Sequence, residues 1–169
     1  MQPAGEVHIT SAKEGAAATA FLEILQGPYL VKPGIEAFDN GERPISLLAS
    51  NIVWLNADDV KWIDTDGEGA ENGPKAAALW GSTEQGRLGG SFVQLPEGYD
   101  GALSSVDGDL RSVVIKGELL HEVRGTTEPS NIGPGGYFAS NENIEHTLSC
   151  NNASKCIIYV RTAGRFIVK

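Results

Sequence analysis

Residues 52–55 (Ile-Val-Trp-Leu), 91–95 (Ser-Phe-Val-Gln-Leu), 112–115 (Ser-Val-Val-Ile) and 157–160 (Ile-Ile-Tyr-Val) are short runs of β-branched and aromatic side chains. Gly, Pro, Asn or Asp stands at or near the ends of each. Such runs predict strands, because branched side chains pack well on a pleated surface and the bounding residues favour turns. Residues 75–80 carry enough alanine for a helix, but Gly73-Pro74 and Gly81 clip them to strand length. Residues 12–25 have the same ambiguity, and Gly15 weakens a helix there. With 21 Gly and 8 Pro in 169 residues, many short elements joined by tight turns are favoured over long helices. The expected class is all-β, a sandwich or barrel.

Residues 32–50 read differently. Pro33-Gly34, Asn40-Gly41 and Arg43-Pro44 make them a connector, with at most one helical turn near residues 36–38. On either side of it an internal repeat is visible. Pro3-Ala4-Gly5-Glu6-Val7-His8 corresponds to Asn141-Glu142-Asn143-Ile144-Glu145-His146. Gly27-Pro28-Tyr29-Leu30-Val31-Lys32 corresponds to Gly164-Arg165-Phe166-Ile167-Val168-Lys169. The two histidine-to-glycine spacings differ by one residue, as expected of a duplication. Residues 1–32 then read as the terminal strands of a first repeat, 33–50 as the connector, and 51–169 as a nearly complete barrel.

Pro-x-Gly-x-x-His before a strand resembles the second motif of the cupins. Pro3, Gly5 and His8 match it fully, while in the later copy Gly135 and His146 match and Asn141 and Asn143 replace the proline and inner glycine. Gly98 and Gly117 have the separation of the two glycines in the first cupin motif. Counting from them, Ser104 and Val106 fall where that motif has histidines, and Leu110 where it has glutamate. Residues 27–33, 36–44, 50–55 and 159–161 further resemble the DUF4437 family of ChrR-like cupins. The resemblance implies a double-stranded β-helix (RmlC-like jelly roll) with extra N-terminal strands. It also implies a chain shortened at its front relative to double-cupin proteins, and it brings no activity with it.

Cupin metal sites use three histidines and a carboxylate around a divalent transition metal. With Ser104, Val106 and Leu110 at those positions only His146 remains, and one imidazole does not hold a divalent ion against water. His121, with Glu118 and Glu122 nearby, is the one residue that would join His146 in a metal site if it points inward; the alternative is a solvated strand histidine. No cofactor is therefore expected. The expected pocket is lined by Leu103, Ser104, Val106, Leu110, Phe138 and His146, mostly apolar with a few polar groups, as small-molecule pockets tend to be. A packed barrel interior has the same composition. Arg111, next to Leu110, faces the other way by strand alternation unless a bulge intervenes. A hydrolase built on Ser104 and His146 lacks a nucleophile-elbow pattern, and Gly133-Pro134-Gly135-Gly136 reads as a turn, not a phosphate loop.

Two functions follow as expectations. One is a metal-free binding or sensing module for a small molecule; the other is a metal-dependent dioxygenase or isomerase using His146 and unrecognised ligands. The formal net charge of −9 argues against nucleic acid and against an anionic membrane face. No apolar run reaches the roughly 20 residues of a membrane helix. Met1 is followed by polar, Pro and Gly residues, so no leader is visible. The protein is expected to be soluble, periplasmic or secreted if a leader was removed and cytoplasmic otherwise. Cys150 and Cys156 flank an Asn-Asn-Ala-Ser-Lys turn and are candidates for a disulfide worth about 2 kcal/mol, or else two half-buried thiols. The strands of the partial first repeat either lie along this barrel's own sheet or cross to a second subunit, and because strand exchange would remove their exposed edges a homodimer is expected.

Overall fold

Alternating burial along the strands builds the fold. In residues 91–95 the side chains of Ser91, Val93 and Leu95 are buried while Phe92 and Gln94 are half-buried; in residues 156–162 Cys156, Ile158, Val160 and Thr162 point the same way. A period of two leaves each strand one face for a core and one for its surroundings. The computed structural model describes residues 11–18, 20–22, 33, 35, 47–65, 72–125, 128–151 and 154–169. His8, both halves of the first repeat copy (3–8 and 27–32) and the expected turn at 36–38 lie outside the described residues.

The chain forms two compact units, Met1–Ile52 and Val53–Lys169. In the first, the described part of residues 12–25 holds no helix; a turn at Glu14 and Gly15 is closed by the Ala16 N–H on the Lys13 carbonyl at 2.9 Å. A 3-10 turn covers Ala49–Asn51.

The second unit holds twelve strands among its described residues. They are β1 (Leu55–Asn56), β2 (Ile63–Asp64), β3 (Lys75–Gly81), β4 (Gly89–Leu95), β5 (Asp100–Ser105), β6 (Leu110–Lys116), β7 (Leu119–Val123), β8 (Ser130–Ile132), β9 (Tyr137–Ser140), β10 (His146–Cys150), β11 (Cys156–Thr162) and β12 (Phe166–Val168). One sheet runs β1-β3-β4-β11-β6-β9 and the other β2-β12-β5-β10-β7-β8. Successive strands alternate between the sheets over much of this order, as in a double-stranded β-helix. The core between them contains Val93, Leu95, Leu103, Leu110, Val114 and Ile158, all within 1% of full burial. The strand expected at 52–55 is shorter than the sequence implies: only Leu55 pairs, with Ala76, because Ile52 closes the preceding 3-10 turn and Val53 is exposed.

Two glycines position the β5–β6 region. Gly98, before β5, and Gly117, between β6 and β7, have φ of +70° and +85°, which side chains other than glycine rarely adopt. At Gly117 a Cβ would also lie 2.7 Å from the Cys156 sulfur. That sulfur is bonded to Cys150, with Cα atoms 6.0 Å apart, so the disulfide ties β10 in one sheet to β11 in the other.

Candidate functional site

His146 begins β10, between Leu103 of β5 and Val123 of β7. Its side chain is fully buried. His121 lies two residues before Val123 and so shares its face of the sheet. The rings of His121 and His146 lie 5.2 Å apart at 25°, with His121 Nε2 2.9 Å from His146 Nδ1. The other nitrogen of His146, Nε2, lies 2.8 Å from Ser140 Oγ. Phe138 closes the group, 4.6 Å from the His121 ring and 5.0 Å from that of His146. Phe138 and Ser140 alternate onto this face from β9, where Ser140 stands opposite Leu110.

The electrostatics follow from burial. Desolvation, and secondarily the charge His121 would carry, lower the His146 pKa from 6.5 to about 4. Desolvation lowers that of His121 as well. Both imidazoles are neutral at pH 7, each able to donate from one nitrogen and accept at the other.

Of the pocket residues expected from the sequence, the structure gathers His146 and Phe138, with fully buried Leu103 and Leu110 beside them on paired strands, and His121, considered only as a second metal ligand, joins them. Ser104 and Val106 are corrected. Ser104 pairs with Ile167 and alternates away from the core, while Leu103 and Ser105 turn inward. Val106 lies past the end of β5, its N–H on the Arg165 carbonyl at 3.0 Å. The count from Gly98 is thus one residue off in β5, and a shift of one reverses the face of every side chain. Arg111 is exposed on the opposite face from Leu110. Ser140 is the residue sequence reasoning missed; its only signal is the alternation with Phe138 on a short strand.

A metal of the usual cupin kind does not fit this donor set. Among the described residues no three His, Cys, Asp or Glu side chains converge. Both nitrogens of His146 face protein partners, and Glu122, paired with Thr147, lies on the other face of β7 from His121. Two imidazoles fall short of the three or four donors that divalent ions require. Elsewhere, a cleft bordered by Trp62, Trp80, Ser91 and Thr162 has a volume of about 10 Å³, room for one water and not for an organic ligand.

Comparison with known proteins bears on the fold. KdgF from Halomonas sp. superposes with a TM-score of 0.52 at 15% identity, over 73% of this chain and 96% of that one. An RmlC-like cupin from Shewanella frigidimarina matches at 20% identity and a TM-score of 0.44, over 58% and 86%. A Klebsiella pneumoniae protein described as uncharacterised, with a double-stranded β-helix domain, matches at 14% and 0.46, over 59% and 86%. No curated protein matches the sequence. The likeness to KdgF extends to the double-stranded β-helix fold, and since the family model described as "Domain of unknown function (DUF4437)" matches residues 1–169, the chain belongs to the DUF4437 family.

Proposed function

We propose that this protein is a metal-free binding or sensing module that takes a small, largely apolar molecule at the His146 end of its barrel. The observation that carries this reading is how the imidazole nitrogens are used. His146 spends both on Ser140 and His121, and apolar Leu103, Leu110 and Phe138 surround the group. A neutral polar cluster framed by hydrocarbon suits recognition of a ligand by a few hydrogen bonds. It does not suit charge stabilisation on a reacting group.

Elemental analysis of the purified full-length protein tests this. We expect no transition metal in stoichiometric amount, and a small-molecule adduct in native mass spectrometry that is lost on denaturation. One equivalent of metal, absent from His146→Ala, would replace this reading with that of a metal-dependent enzyme. For assembly we propose a homodimer in which residues 1–32 cover their strand edges against the partner, on the physical ground that unpaired edges invite pairing.

A further inference from the structure

Trp62 leads into β2, and its carbonyl takes the Phe166 N–H at 3.1 Å. Its indole packs against the barrel core. The indole nitrogen Nε1 is buried and has no hydrogen-bond partner among the described residues. An indole N–H donates and never accepts, so the group it lacks is an acceptor. A buried donor without one weakens the fold, and buried donors as a rule pair with protein or with ordered water.

The cleft that Trp62 borders has the size for the second solution. Its volume of about 10 Å³ is the room of one water. Ser91 and Thr162, buried residues of the other sheet, border the same cleft. The Thr162 hydroxyl gives its proton to the Asp107 carbonyl at 3.3 Å, so it offers other neighbours only lone pairs. No charged side chain lines the cleft, and a buried anion without a cation beside it is costly.

We propose that this cleft is a hydration site: one ordered water accepts from Trp62 Nε1 and donates to Thr162 Oγ1, with Ser91 Oγ as a third partner. The water joins the segment entering β2 in one sheet to β11 in the other. The disulfide ties β11 to the opposite sheet at Cys156, its first residue; the water does so at Thr162, its last. The hydration site is independent of what binds near His146.

A crystal structure of the full-length protein, at a resolution that shows ordered water, is the first test. Water within hydrogen-bond distance of both Trp62 Nε1 and Thr162 Oγ1, and absent from Trp62→Phe, supports the site. A dry cleft, a protein acceptor on Nε1, or bromide taking the position in a soaked crystal overturns it. The second test is a double-mutant cycle read by urea midpoints. Thr162→Val breaks the bond to Asp107 in either background, so only the coupling reports the bridge. Thr162→Val should lower the midpoint more in the native protein than in Trp62→Phe; equal losses overturn the bridge. If Trp62→Phe does not fold, the crystal structure of the native protein decides.

Discussion

A buried neutral histidine ties stability to pH. His146 has a pKa of about 4 in the folded protein, against 6.5 when unfolded. Between those values the unfolded chain binds a proton that the folded one refuses, so stability falls as pH drops from 6.5 toward 4 and is fully present above 6.5. At about 1.36 kcal/mol per pKa unit the loss is roughly 3 kcal/mol, and His121, shifted in the same direction, adds to it. Urea midpoints at pH 7 and pH 4.5 should differ strongly in the native sequence and less in His146→Gln; an unchanged slope would show that another group titrates. At pH 7, His146→Ala should cost about 2–4 kcal/mol, since it opens a cavity and leaves Ser140 and His121 without their partner. Leu110→Ala, at a fully buried site, should fall in the range of about 2–5 kcal/mol, read from the same denaturation curves.

At the scale of elements, the turn before β10 carries an asparagine where the resembled motif has its inner glycine. Asn143, at the motif's inner glycine position, has φ of +61°, the one positive φ outside glycine among the described residues. Its N–H bonds the Ser105 carbonyl at 2.9 Å, which anchors the turn that delivers His146. Asparagine tolerates this conformation better than other side chains. Asn143→Gly should change stability by less than about 0.5 kcal/mol, and Asn143→Val should lower it by about 1–2 kcal/mol. A thermal melt decides, and a harmless valine would mean the turn relaxes. The β10–β11 disulfide closes a short loop, and reduction should lower stability by about 2 kcal/mol. The check is denaturation with and without dithiothreitol, with Cys150→Ala/Cys156→Ala insensitive to the reductant.

For the molecule as a whole, the edges of the second unit are managed by brevity. The outermost strands β1, β2, β8 and β9 have two, two, three and four residues, too short to template extended pairing. The proposed dimer therefore depends on residues 1–32. Light scattering at micromolar concentration should give twice the monomer mass, and a truncation beginning after residue 32 should give one; a full-length monomer would remove the dimer from the proposal.

The all-β class, the cupin resemblance and the glycines at 98 and 117 were legible in the sequence because they are local: a turn needing positive φ selects glycine whatever surrounds it. The alternation that turns Leu110 inward and Arg111 outward is local in the same sense. Which residue of β5 faces His146 was not legible. Leu103, Ser104 and Ser105 permit either register, and only pairing with Leu103 across the β5–β10 ladder settles it. Nor did spacing along the chain bring Ser140 to His146, and it left open whether His121 turns inward to meet it. Those contacts join three strands from two sheets, and they exist only once packing has chosen which faces meet.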